Sequence, residues 1–143
     1  MYVSTILDEK GRDVVTLRPN STLAEASRIL ADHRIGTVVV TETDSGILGI
    51  LSERDIVRAV ATLGAAALDA PVSSYMTTDV QTTRSEERIR SIMEQMTRGR
   101  FRHIPVVEGG QMIGIISIGD VVKQRLAEIE AEASAMRDYI ASA

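Results

Sequence analysis

Short apolar runs and helix-spaced apolar positions alternate along this chain, and the alternation occurs twice. Val14 to Leu17 reads as a short strand. It is followed by apolar residues at Leu23, Ala26 and Leu30, the i, i+3, i+7 spacing of an amphipathic helix. Thr22-x-x-Glu25 supplies a capping signature at its start. A continuous apolar run, Thr37-Val38-Val39-Val40, then predicts a buried strand. The turn Asp44-Ser45-Gly46 leads into a second strand, Ile47 to Leu51, and a second helix starts at Ser52-x-x-Asp55. The second passage gives a strand at Val80 to Thr83 and a helix with Ile89, Ile92, Met93 and Met96 on one side. Ser85, with Glu86 and Glu87, suits the cap of that helix. Strands at Ile104 to Val107 and Met112 to Ile116 flank the turn Gly109-Gly110, and a helix starts at Ser117-x-x-Asp120.

The two passages are copies. At an offset of 66, Asp13, Thr16, Arg18, Arg34, Val40 and Glu42 fall on identical residues. After a one-residue gap, Gly49-Ile50-x-Ser52-x-x-Asp55 falls on Gly114-Ile115-x-Ser117-x-x-Asp120. The run-in repeats as well, Val3-Ser4-Thr5-Ile6-Leu7 matching Val72-Ser73-Ser74-Tyr75-Met76. The loop after the first run-in is three residues longer and carries Lys10 and Gly11. Each unit, of about 60 residues, is too small to bury a good core alone, so the halves are expected to pack together. The repeat sets boundaries at 1–66 and 67–126, with Ala65 to Pro71 as the link and 127–143 as a helical extension.

Composition narrows the function. Aromatic residues are only 3% of the 143, so the core must be aliphatic. A net charge of -4 argues against nucleic acid, whose backbone demands clustered cations; the small cluster Arg98, Arg100, Arg102 and His103 lacks aromatic platforms. The absence of Cys removes disulfides and thiolate chemistry. No apolar run reaches the ~20 residues of a membrane span, and the N-terminus lacks the pattern of a signal peptide; a cytoplasmic setting is expected. There is no Walker loop, no GxGxxG and no Gly-x-Ser-x-Gly, and the two His stand apart from carboxylates at metal-ligand spacing. The expectation is a protein that is not an enzyme and needs no metal.

Ser52-x-x-Asp55 and Ser117-x-x-Asp120 have two readings. Each is a helix cap with an acid at the third helical position. Each is also suited to a nucleotide, because a helix start offers free N–H groups to phosphate and a carboxylate can accept both ribose hydroxyls. The glycine ahead of each motif permits close backbone approach. His33, at a helix end, reads as structural.

The whole pattern resembles the CBS motif: strand, helix, the strand Arg102-His103-Ile104-Pro105-Val106-Val107, a turn, then Gly114-Ile115-Ile116-Ser117-Ile118-Gly119-Asp120. It recurs as Gly49-Ile50-Leu51-Ser52-Glu53-Arg54-Asp55, and the resemblance covers Val3 to Leu126. It implies an α/β (α+β) fold of two tandem β-α-β-β-α CBS motifs, packed as one pseudo-two-fold Bateman module with a long C-terminal helix. It also implies two composite ligand sites. Site A would hold Thr16, Gly36, Thr37 and Val38 with Ser117, Gly119 and Asp120. Site B would hold Ser52, Arg54 and Asp55 with Thr82, His103 and Ile104. By the resemblance, serine meets phosphate, aspartate meets ribose, and Lys10, Arg54, Arg102 and His103 are the phosphate-binding candidates. Val39 in place of Pro105, and Arg54 in place of Gly119, suggest that the sites are not equivalent. Family ligands include AMP, ADP, ATP, S-adenosylmethionine and NAD(H), and AMP is the first expectation here.

The implied function is a regulatory sensor of an adenosine nucleotide that acts on an unidentified partner protein. The rival reading is a ligand-independent scaffold for dimerisation and protein interaction. From Asp120 to Ala143 the chain has no Gly or Pro. Val122, Leu126, Ile129, Ala133, Met136 and Ile140 follow the 4-3-4-3-4 spacing of a coiled-coil seam, which predicts a long helix and a homodimer. The same stripe could instead lie along its own domain.

Overall fold

The computed structural model describes residues 1–43 and 46–142. The elements run α1 (Val3–Lys10), β1 (Thr16–Leu17), α2 (Leu23–His33), β2 (Thr37–Thr41), β3 (Ile47–Ser52) and α3 (Glu53–Leu63). Two short 3₁₀ turns, Gly64–Asp69 and Val72–Ser74, occupy the link. Then come α4 (Ile89–Gly99), β4 (His103–Glu108), β5 (Gln111–Ser117) and α5 (Ile118–Ser142). This is the expected mixed α/β order with its long C-terminal helix. Residues 44 and 45 of the expected Asp44-Ser45-Gly46 turn lie outside the described residues.

The chain divides into two compact units that do not follow the order of the copies. One, the Ser52 unit, is Asp13–Gln81 with Gly109–Ile113; the other, the Ser117 unit, is Met1–Arg12, Thr82–Glu108 and Gly114–Ala143. In the Ser52 unit β1 pairs parallel with β2, and β2 pairs antiparallel with β3. Its core gathers Leu17, Leu23, Ala26, Leu30, Val38, Val40, Leu51 and Ala59. In the Ser117 unit Ile89, Ile92 and Met96 are buried at the positions matching Leu23, Ala26 and Leu30. Ile104, Val106, Ile116 and Val121 are buried too, with Val3, Ile6 and Leu7 of α1. Burying each such aliphatic side chain is worth roughly 1.5–3 kcal/mol.

Each unit is completed by the other copy's run-in. In the Ser117 unit the Val3 N–H donates to Glu87 O (2.9 Å), Ser4 N–H to Ser85 O (2.9 Å) and Ile89 N–H to Met1 O (3.2 Å). In the Ser52 unit the Val72 N–H donates to Ser21 O (2.7 Å), Ser73 N–H to Pro19 O (3.0 Å) and Leu23 N–H to Ala70 O (3.0 Å). The six bonds match pair by pair across the repeat. The glycines of the two Gly-Ile motifs accept the run-in side chains. A β-carbon on Gly114 would fall 2.6 Å from Leu7 Cδ2, and one on Gly49 would fall 2.7 Å from Met76 Sδ and 2.8 Å from Thr77 O. The close approach these glycines permit is thus to the run-in.

Three expected elements differ. The first strand is only Thr16–Leu17, and Val80 to Thr83 forms no strand, only a parallel bridge between Thr83 and Val106. Pro105 explains the second loss. In the first copy Val39 N–H donates to Val15 O (3.3 Å), whereas Pro105, at the matching position, has no N–H to give. The third difference is the cap of α4. Thr22 Oγ1 accepts the Glu25 N–H (3.1 Å) as expected, but the N-cap of α4 is Arg88, and Ser85 instead donates its hydroxyl to Glu108.

The stripe of α5 is uncovered. Val122, Leu126, Ile129, Met136 and Ile140 are exposed, from 40% at Val122 to 66% at Ile140, and only Val121 and Gln124 of this helix are buried. The reading in which the stripe packs along its own domain does not hold. No helix among the described residues is long and apolar enough to cross a membrane.

The glycine contacts make a prediction. Gly49→Ala and Gly114→Ala should each destabilise the protein by about 1–3 kcal/mol through overpacking. Gly49→Ala should cost more, because the Thr77 carbonyl cannot swing aside as the Leu7 side chain can. Urea unfolding of the two variants ranks them; equal and negligible losses would show that the run-ins are not seated on these glycines.

Candidate functional site

The Ser-x-x-Asp motifs form matching capping boxes. At α3 the Asp55 N–H donates to Ser52 Oγ (3.3 Å), while Asp55 Oδ2 accepts the Ser52 N–H (2.8 Å) and the Ser52 hydroxyl (3.1 Å). At α5 the Asp120 N–H donates to Ser117 Oγ (3.1 Å), and Asp120 Oδ2 accepts the Ser117 N–H (2.9 Å). The start of each helix is also tied to the residue run ahead of the middle strand. Glu53 N–H donates to Gly36 O (2.9 Å) and Ile118 N–H to Arg102 O (2.7 Å). The capping reading is therefore correct for both copies. It leaves each aspartate held by main chain in one orientation at the mouth of a helix.

Of the residues expected at site A, Thr16, Gly36, Thr37 and Val38 belong to the Ser52 unit, and Ser117, Gly119 and Asp120 to the Ser117 unit. Thr16 is exposed at the β1 edge. Thr37 lies opposite Ser52 in the β2–β3 register, and Val38 is fully committed to the core. Gly36 borders an open depression of about 620 Å³ with Leu30, Arg34, Glu53, Ile56 and Val57. The Glu53 carboxylate stands over Gly36, 3.5 Å from where a β-carbon would be, so this wall is acidic. Of the site B residues, Ser52, Arg54 and Asp55 belong to the Ser52 unit, and Thr82, His103 and Ile104 to the Ser117 unit. Arg54 and Thr82 are exposed, His103 is half-buried and Ile104 has no exposed surface.

Lys10 departs from expectation. It ends helix α1 instead of lying on a loop, and its ammonium is already engaged within its own unit. Its ammonium donates to Asp120 Oδ2 (2.7 Å) and to the Ile115 carbonyl (3.0 Å). Below this pair, Gln124 donates to Glu9, and the Met1 amino group meets Glu128 at 3.1 Å. Asp120, Gln124 and Glu128 stand four residues apart on one face of α5, so α1 is stitched along it in reverse order. Arg102, a phosphate candidate in the same unit, is exposed. Partners 110 residues apart leave no local pattern in a sequence, and the Lys10 contact could not be read there.

These contacts set the electrostatics. Burial acts to raise the Asp120 carboxyl, but the hydrogen bonds from Lys10 and Ser117 and the lysine charge outweigh it, and the group lies below its usual 3.8. Glu128 is likewise held low: burial opposes ionisation, and Arg125 and the terminal amine prevail. Among the described residues no group of three or more His, Cys, Asp or Glu is gathered to hold a metal ion.

The family model for the CBS domain matches residues 6–62 and 72–127, both copies nearly entire. The chain belongs to the CBS-domain family. A crystal structure of the CBS-domain containing protein ATU1752 from Agrobacterium tumefaciens is 52% identical, covers 87% of this chain and 99% of that one, and has a TM-score of 0.84. The mitochondrial CBS domain-containing protein CBSX3 of Arabidopsis thaliana is 30% identical over 96% of this chain and 71% of its own. The CBS domain protein PAE2072 from Pyrobaculum aerophilum, solved in complex with AMP, is 30% identical, with a TM-score of 0.74 over 84% of this chain and 89% of that one.

A titration follows from the Asp120 geometry. A carboxylate held low in the fold contributes stability that is present in full above its unfolded value and is lost as pH falls through the folded one. Asp120→Asn should therefore be less stable than the parent at neutral pH, with the gap closing below pH 3.8. Thermal melts across pH 2 to 7 test this; a gap that stays constant would mean that the Lys10 pair adds nothing to stability.

Proposed function

We propose that this CBS pair is a regulatory module that binds an adenosine nucleotide and acts through ligand-dependent conformation or partner docking, without covalent chemistry. What carries the reading is the duplicated Ser-x-x-Asp box at the starts of α3 and α5, in a family member whose relative PAE2072 holds AMP. In this reading each aspartate accepts ribose hydroxyls and each helix start faces phosphate. Site A draws on Thr16, Gly36, Thr37 and Val38 with Ser117, Gly119 and Asp120; site B draws on Ser52, Arg54 and Asp55 with Thr82, His103 and Ile104. Arg54, Arg102 and His103 serve the phosphates. AMP is the first choice of ligand, with ATP, ADP and NAD(H) as its competitors, and the setting is cytoplasmic.

The test is calorimetry with AMP, ADP, ATP and NADH on the full chain. Asp120→Ala should lose about tenfold or more in affinity, since hydrogen bonds to a charged group are worth roughly 1.5–3 kcal/mol. Asp55→Ala should weaken a second site. Unchanged affinity in a folded Asp120→Ala protein would remove this reading, and no binding of any nucleotide at millimolar levels would favour the scaffold.

The same proposal includes a homodimer through α5. Its support is the exposed seam of Val122, Leu126, Ile129, Met136 and Ile140, at coiled-coil spacing. Sedimentation should find the parent dimeric at tens of micromolar and Ile129→Glu/Ile140→Glu monomeric. A monomeric parent, or a dimer in both, would exclude this seam as the interface.

A further inference from the structure

Lys10 has no counterpart in the second copy. Three residues beyond Met76, as Lys10 is three beyond Leu7, the chain carries Asp79. The difference has a structural origin. In the Ser52 unit the second run-in passes beside β3, and the Thr77 N–H donates to Ile50 O at 2.8 Å. In the Ser117 unit the first run-in continues as helix α1, and the matching carbonyl, Ile115 O, receives the Lys10 ammonium at 3.0 Å. A side-chain cation thus stands in for a main-chain donor. Unlike that donor, it carries a charge and further hydrogens, and a second hydrogen goes to Asp120 Oδ2 at 2.7 Å.

The consequence falls on the aspartate. Asp120 Oδ2 takes both the Lys10 ammonium and the Ser117 N–H, while Oδ1 takes neither. Lys10 is itself fixed by a strand carbonyl and by a helix stitched to α5 through Glu9–Gln124 and Met1–Glu128. The carboxylate is held at Oδ2 by a charge-assisted bond as well as by its capping box. The hydrogen bonds described on the Asp55 carboxylate come from Ser52, within its own capping box.

We propose that Lys10 is a positioning residue that presets Asp120 for ribose and makes the Asp120 site the tighter of the two. The proposal rests on the adenosine reading above. It differs from a phosphate contact by Lys10 in one measurable respect. A residue that acts through Asp120 affects adenosine and AMP alike, because both present the ribose; a phosphate ligand affects AMP alone.

The experiment is calorimetry with AMP and with adenosine in an Asp55→Ala background, comparing Lys10→Met, Asp120→Ala and the two combined. Lys10→Met should weaken both ligands by a similar factor, about tenfold, and should add less than about twofold once Asp120 is alanine. Loss of AMP binding alone, full additivity with Asp120→Ala, or no loss at all would each overturn the proposal. If Lys10→Met does not fold, as judged by its melting transition, Lys10→Gln, which retains a donor, is read by the same criteria. If the Asp55→Ala parent binds neither ligand while Asp120→Ala alone still does, Asp120 is not a ligand residue and the proposal falls with that part of the reading. If Lys10→Met fails while Asp120→Ala succeeds, only the role of Lys10 falls.

Discussion

Leu7 and Met76 lie where Gly114 and Gly49 would carry side chains, and most of the architecture depends on that exchange. Each copy of the repeat supplies a run-in that its own β-α-β-β-α passage does not use. The run-in crosses to the other unit, donates two N–H groups to the turn ahead of a helix, accepts one from the helix start, and drops an apolar side chain onto the glycine of a Gly-Ile strand. Neither copy is complete without the other. Separate folding of one copy would leave a glycine groove empty and three main-chain partners missing, at a cost that a unit of this size has little surplus to absorb.

The exchange also fixes the ends of the strands that carry the capping serines. Gly49 and Gly114 stand three residues ahead of Ser52 and Ser117, so a run-in seated on the glycine holds the strand whose last residue caps the helix. The capping boxes then hold Asp55 and Asp120 by main-chain N–H groups at 2.8 and 2.9 Å. A ligand that bound these carboxylates would meet groups already oriented and would lose little in ordering them.

What the sequence revealed and what it concealed divide along physical lines. Periodicity located the buried faces of α2 and α4: Leu23, Ala26 and Leu30, and their partners Ile89, Ile92 and Met96, are all buried. The repeat exposed the paired Ser-x-x-Asp boxes because capping is local, confined to four residues. The missing strand at Val80 to Thr83 depended on a partner far along the chain, the N–H that Pro105 lacks. Thr22 caps α2, but the matching position is Arg88, and the nearby Ser85 looked like a cap without being one. The exchange of run-ins and the Lys10–Asp120 pair were hidden for a deeper reason. Both join residues far apart in the chain, and neither imposes a pattern on its neighbours.

The asymmetry between copies follows from the loop after the run-in. Three extra residues let the first run-in continue as a helix, and a helix cannot pair with a strand edge. The orphaned carbonyl of Ile115 needs a donor, because an unsatisfied main-chain group costs about as much as a lost hydrogen bond. A long side chain at the end of that helix is the available solution, and Lys10 provides it. Lysine alone among such donors is a flexible point charge with three hydrogens, so satisfying the carbonyl leaves others to reach the neighbouring carboxylate. A change in loop length in one copy has thus placed a lysine charge on Asp120. Two capping boxes built from the same motif have different surroundings without any substitution in the motif's own serine or aspartate.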